Sequence, residues 1–228
     1  MLTAMRDSMA HRGPDDAGLL VRPHVGLGHR RLSIVDVSSG RQPMVTQDGR
    51  FALVYNGEIY NHLKLRKRLE SRGARFETRC DTEAVLHLCA QTWADDIAHL
   101  NGMFAFAAWD EGEQALLLAR DRFGIKPLYY VHKEDGTLFF ASEIKAFVAA
   151  GVIQPSLNHS SLSDFLANHT TTGEETLFEG VRRLPAGHVL HWKGGTLRIE
   201  GYWDLPQRSP DPGTNDAMLL EGFEAALS

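Results

Sequence analysis

An α+β fold of antiparallel strands covered by helices is what this sequence predicts, on three observations. Turn signals join short apolar strands at Glu111-Gly112, at Asp135-Gly136 and at Gly194-Gly195, which are hairpin connections. Apolar residues at helical spacing, with stop and start signals around them, mark helices at 2–10, 61–72, 82–92, 143–150 and 160–168. A chain of 228 residues with 43% hydrophobic content can bury one large core and begin a second unit. Two antiparallel sheets between helix layers would satisfy that inventory, although pattern alone establishes only α+β with hairpins.

Leu2, Met5 and Met9 are spaced to share one helix face. The segment from Gly28 to Asp36 reads as a strand that carries Arg31 into a loop. Phe51 to Tyr55 is an apolar strand, and Asn56-Gly57-Glu58-Ile59-Tyr60-Asn61 follows it. A bare Asn-Gly marks a hairpin turn, but here no second strand follows. Asn61 stands where an N-cap belongs, Leu65 and Leu69 lie one turn apart, and Gly73 stands where a helix stops. The Asn-Gly pair is therefore expected at a strand-to-helix corner. Cys80-Asp81-Thr82-Glu83 opens the next helix with an acidic first turn. Hairpins run from Tyr129 to Phe140 and from His188 to Ile199. The three prolines of 205–213 make a stiff linker, after which Thr214 or Asn215 caps a helix striped with Met218, Leu219, Phe223 and Leu227.

Three of these segments carry chemistry. An Asn carboxamide beside a Gly backbone N–H, as at Asn56 and Gly57, offers two neutral donors to one oxygen, which suits a tetrahedral acyl-transfer intermediate. The missing β-carbon of Gly57 would let a substrate approach the backbone. Arg31 can fork onto an α-carboxylate, and Asp81 or Glu58 can take an α-ammonium, so an amino acid fits the set. Taken singly, these are a surface arginine, a helix-capping aspartate and an exposed glutamate; their joint appearance carries the weight.

Other chemistries find little support. The 11 histidines are scattered, without a paired helix spacing or a cysteine cluster, so no metal site is expected. No Gly-x-Ser-x-Gly turn supports a serine nucleophile. Cys80 beside Asp81 reads as a small strand-end residue, and a neighbouring carboxylate makes it a poor nucleophile. A net charge of -5 argues against nucleic acid and anionic membranes, and no apolar run approaches the length of a span. With two cysteines and no signal peptide, a reducing cytoplasmic compartment is expected.

Longer blocks point to a family. His11-Arg12-Gly13-Pro14-Asp15-Asp16, Arg31 to Asp36, Asn56 to Asn61, Asp81-Thr82-Glu83, Asp121 to Tyr130 and Phe140 to Lys145 together resemble the glutaminase domain of glutamine-hydrolysing asparagine synthetases, a class II glutamine amidotransferase. The resemblance spans nearly the whole chain. It implies an αββα sandwich of the N-terminal nucleophile hydrolase type. It also implies that glutamine is hydrolysed to glutamate and ammonia, which a synthetase domain uses with ATP and Mg2+ to amidate aspartate. No cofactor is implied within the glutaminase domain itself, and a homodimer is left open. Arg31 would hold the glutamine α-carboxylate, with backbone of Leu32, Ile34 and Val35 shaping the slot. Glu58 and Asp81 would hold the ammonium, and Asn56 with the Gly57 N–H would form the oxyanion hole.

The family's nucleophile is an N-terminal cysteine, whereas this sequence begins Met1-Leu2-Thr3. A sequence cut at both ends is the resulting expectation: 1–204 as glutaminase domain without its first strand, 205–213 as linker, 214–228 as the first synthetase helix. Such a chain would bind glutamine at best and be marginally stable. Two other classes stay open: the non-hydrolytic N-terminal scaffold of a β-lactam-synthetase-like enzyme, and a glutamine-sensing regulatory protein. Retention of Arg31, Asn56, Gly57 and Asp81 speaks against a bare scaffold.

Overall fold

In the computed structural model, residues 1–32, 40–206 and 215–227 are described. The chain forms α1 (Leu2–Ser8), β1 (Asp16–Arg22), β2 (Val25–Arg31), β3 (Met44–Val45), β4 (Phe51–Ile59), α2 (His62–Ser71) and α3 (Asp81–Thr92). It continues through β5 (Gly102–Asp110), β6 (Ala115–Arg120), β7 (Tyr129–His132), β8 (Leu138–Ala141), α4 (Lys145–Ala149), α5 (Leu162–Asn168), β9 (Arg182–Arg183), β10 (His188–Lys193), β11 (Thr196–Gly201) and α6 (Asp216–Leu227).

One sheet has six strands in the order β11-β10-β6-β5-β4-β3, all antiparallel. The facing layer comes in two pieces, β1-β2 and β8-β7-β9, with no ladder between them among the described residues. Alternation along β4 shows how the layers form. Phe51, Leu53 and Tyr55 pack with Leu65, Leu69, Val85 and Leu88 of α2 and α3, while Ala52 and Val54 pack inward with Leu27, Leu128 and Tyr130. A third cluster joins Met5 of α1 and Phe147 of α4 to Val131 and Ala141. The order is therefore helix, sheet, sheet, helix: the expected αββα sandwich. Helix α1 spans both small sheets, since Leu2 lies against Gly26 and Gly28 of β2 and Met5 against β7 and β8.

Two local expectations change. Asn56 and Gly57 do not form the strand-to-helix corner; they stay within β4, opposite Ala105 and Phe104, and the corner is Tyr60-Asn61. The nine residues of β5 pair all of β4, and the two strands run so close that a β-carbon on Gly57 would lie 2.2 Å from Met103 O. Gly57 is thus needed first for strand packing. Asn61 occupies the N-cap position of α2 without a side-chain cap. Its carboxamide instead donates to His99 O and accepts from Asn101 N, tying the corner to the start of β5. At the far end Asn215 does cap α6, accepting from Met218 N at 3.0 Å, and every described residue of α6 is exposed.

The block from Asp121 to Pro127 is a loop organised by one buried carboxylate. Asp121 accepts from the backbone N–H of Phe104, Phe123, Ile125 and Lys126, and Gly124 takes a φ of +63° that suits glycine. Arg120 closes the loop by donating to the carbonyls of Gly124, Lys126 and Leu184.

The tight β4–β5 spacing yields a stability prediction. Gly57→Ala should lose about 1–3 kcal/mol in urea unfolding, because the ladder must part to admit the methyl group. Gly102→Ala, whose β-carbon would meet Glu58 O at 2.1 Å, should behave alike. Parental stability in either variant would contradict the packing account.

Candidate functional site

The candidate site lies along the edge of β4, which past Leu53 has no ladder partner among the described residues. Strand β3 pairs only Leu53 and Ala52, so β4 runs on past its edge partner. Phe104 spends its N–H on Asp121 Oδ2 and its carbonyl on Asp121 N, both on the far side of β5. The pair Gly57 and Phe104 is therefore not hydrogen-bonded across the ladder, and the N–H groups of Tyr55, Gly57 and Ile59 point out of the sheet edge. Tyr55 N donates to Gln42 Oε1 at 2.6 Å and Ile59 N to Asp81 Oδ2 at 2.9 Å. Between these two occupied donors, Gly57 N–H has no partner among the described residues.

Asp81, the first residue of α3, reaches that edge from the helix side and takes a second bond on the same oxygen, from Tyr55 Oη at 2.6 Å. Burial, and then the Asp81 charge, push the Tyr55 hydroxyl far above the ordinary tyrosine range, so it serves as a donor only. Asn56 and Glu58 project on the other face of β4, the face of Ala52 and Val54; Asn56 is half-buried and Glu58 exposed. Of the two carboxylates expected to share one role, Asp81 is built into the edge, while Glu58 stands on the opposite face of the strand.

Arg31 ends β2, on the face shared by Leu27 and His29 and directed at the six-stranded sheet. Its neighbour Arg30 takes the other face and donates to Asp7 of α1 at 3.0 Å. Arg31 also lies against Gly40, where a β-carbon would be 2.7 Å from a guanidinium nitrogen. Leu32 is exposed beside it. Ile34 and Val35 fall outside the described residues.

Three residues that sequence reasoning missed hold the site. Gln42 both accepts from Tyr55 N and donates to Tyr55 O, so one carboxamide takes up the backbone groups that an edge strand would pair. His29 Nε2 lies 3.1 Å from Tyr55 O; a carbonyl only accepts, so Nε2 carries the proton. Burial pushes the His29 imidazole down to about 4, so it is neutral near pH 7. Tyr55 itself was read only as strand filler. A polar residue at an otherwise apolar strand end, as with Tyr55, is a weak sequence signal; Gln42 and His29 give none that separates them from surface residues.

The two cysteines are free. Cys80 is half-buried, its Sγ 2.9 Å from Thr78 Oγ1, and burial pushes the Cys89 thiol up to about 12. Among the described residues no group of three His, Cys, Asp or Glu side chains could hold a metal ion, and no helix is long and apolar enough to cross a membrane.

An αββα sandwich thus brings together a glycine donor at a strand edge, an arginine at a facing strand end and a helix-borne aspartate. Comparison with known proteins gives it a family. Residues 1–203 match the glutamine amidotransferase domain, and the chain belongs to that family. It is 39% identical over 217 residues to asparagine synthetase [glutamine-hydrolyzing] 3 of Bacillus subtilis, covering 94% of this chain and 35% of that protein. It is 41% identical to amidase chyE of Penicillium rubens, covering 94% of this chain and 31% of that one. The chain thus spans about a third of the length of these relatives. The glutamine phosphoribosylpyrophosphate amidotransferase of B. subtilis shares the fold, with a TM-score of 0.62 and 22% identity over 91% of this chain and 48% of that one.

His29 generates a pH prediction. The unfolded imidazole binds a proton near 6.5 and the folded one only near 4, so stability is full above that window and is lost as pH falls through it. Between pH 7 and pH 5 the chain should lose about 2 kcal/mol in urea unfolding, and His29→Gln should flatten that loss. Asp96 and Asp110, held below the usual carboxylate range against burial by arginine partners, act at lower pH. An unchanged slope in His29→Gln would contradict the assignment.

Proposed function

We propose that this chain is the glutamine-binding domain of a glutamine-dependent asparagine synthetase, the unit that releases ammonia from the glutamine side chain. The observation that carries the reading is the Gly57 N–H, without a partner among the described residues, on the β4 edge between Gln42 and Asp81. An amide under nucleophilic attack develops negative charge on its oxygen, and a fixed backbone donor stabilises that charge without reorganising. Asn56 Nδ2 supplies the second donor. Arg31 takes the α-carboxylate as a bidentate pair, with backbone at Leu32, Ile34 and Val35 lining the slot, and Asp81 takes the α-ammonium with Glu58 at the rim. Similarity to the Bacillus asparagine synthetase supports glutamine as the amide.

The rest of such a protein would hold the ATP- and Mg2+-dependent step that amidates aspartate. Residues 205–213 would link the two units and α6 would enter the second. The identity to amidase chyE favours a second reading in which the ammonia serves another acceptor. Asparagine formation from aspartate, ATP and glutamine by the full-length gene product separates the two.

Two outcomes test the binding domain. Neither cysteine is well placed as nucleophile: Cys89 lies in the core between helices and sheet, and Cys80 is half-buried beside the Asp81 carboxylate, with its Sγ hydrogen-bonded to Thr78 Oγ1. The 228-residue polypeptide should therefore bind glutamine without releasing glutamate, and turnover abolished by Cys80→Ala would contradict this. Arg31→Ala should weaken glutamine binding by about 1.5–3 kcal/mol in calorimetry, whereas Arg30→Ala, whose side chain meets Asp7, should leave affinity unchanged. Equal losses would mean that the wrong face of β2 has been assigned to substrate.

A further inference from the structure

Both protein groups that bind Asp81 land on one oxygen. Tyr55 Oη and Ile59 N converge on Oδ2, at 2.6 and 2.9 Å, and Oδ1 takes no hydrogen bond among the described residues. Tyr55 is itself held on every side. The residue is 4% exposed within the apolar cluster under α2 and α3, its N–H is bound by Gln42, and its carbonyl receives both Gln42 and His29. A carboxylate otherwise rotates freely about its last torsion. One short charge-assisted bond from an immobile phenol, with a backbone N–H beside it, fixes the carboxylate plane and leaves Oδ1 as its acceptor.

We infer that Tyr55 is the positioning residue of the α-ammonium subsite: it anchors Asp81 Oδ2 so that Oδ1 meets the ammonium of the substrate, and it thereby makes the site select an α-amino acid over the same amide without its amine. The inference deepens the glutamine reading and rests on it. A merely structural Tyr55, tying α3 to β4, would affect every ligand alike. A positioning Tyr55 affects only ligands that carry the ammonium.

The test uses the 228-residue chain and two probes: glutamine, and glutaramate, which is glutamine lacking its α-amine. Affinities are measured by calorimetry in the parent, Tyr55→Phe, Asp81→Asn and the double variant, with thermal midpoints recorded for each. The parent should prefer glutamine. Tyr55→Phe should weaken glutamine about tenfold and glutaramate less than about twofold, in line with loss of one charge-assisted bond. In the Asp81→Asn background, Tyr55→Phe should cost no further glutamine affinity, an outcome that remains readable if the single variant is poorly folded. Equal weakening of both ligands, no weakening, or additive losses in the double variant would overturn the positioning role. Equal parental affinity for both ligands would remove Asp81 from the ammonium and the inference with it. A parent that binds neither ligand would overturn the glutamine reading itself.

Discussion

Much of the site hangs on one sheet edge: among the described residues, β4 has no ladder partner beyond Leu53 on that side. Strand β4 outruns β3, and each exposed backbone group past that point must find a partner or water. The protein supplies partners from three different elements: Gln42 before β3, His29 on β2 and Asp81 on α3. These bonds seal the edge at Tyr55 and Ile59 and leave the gap at Gly57. An open donor is thus created by satisfying its neighbours rather than by adding a group.

Rigidity behind that edge comes from the next strand. The Asp121 carboxylate occupies the β6 side of Phe104, which forces the Phe104–Gly57 pair into the non-bonded phase of the ladder and turns Gly57 N–H outward. The loop after β6 is therefore part of what orients the site, although it lies one strand away. Gly57 and Gly102 bring β4 and β5 close, and Ala105 and Ala107 thin the inner face where the smaller sheets approach. Neutral His29 fits the same logic. A charged imidazole beside Arg31 would be repelled, and burial already disfavours it.

How much of this the sequence discloses follows from the range of each interaction. The hairpin at Asp135-Gly136 and that at Gly194-Gly195 are legible because their glycines take positive φ, a local requirement. In the β5–β6 hairpin the positive φ belongs to Gln114 rather than to Gly112, so the turn is legible and its geometry is not. Helices α2 and α3 announce themselves through Leu65 and Leu69 and through the acidic turn at Asp81. Asn56-Gly57 defeats local reading: its glycine answers to Met103 across the ladder, 46 residues on in the chain. The partners of Tyr55 lie 13 residues away at Gln42 and 26 away at His29 and Asp81, where no periodicity reaches. Arg31 and Asp81 are legible as candidates, but the different placement of Asp81 and Glu58 is not, because it turns on which face of β4 each one meets.

The central claim is that the Gly57 N–H is an open donor for the side-chain oxygen of glutamine. A crystal structure of residues 1–228 with glutamine bound tests it most directly. The carboxamide oxygen should lie within hydrogen-bond distance of Gly57 N and Asn56 Nδ2, with the α-carboxylate on Arg31. Glutamine lodged elsewhere, or Gly57 N–H engaged by a protein group while glutamine is bound, would contradict it.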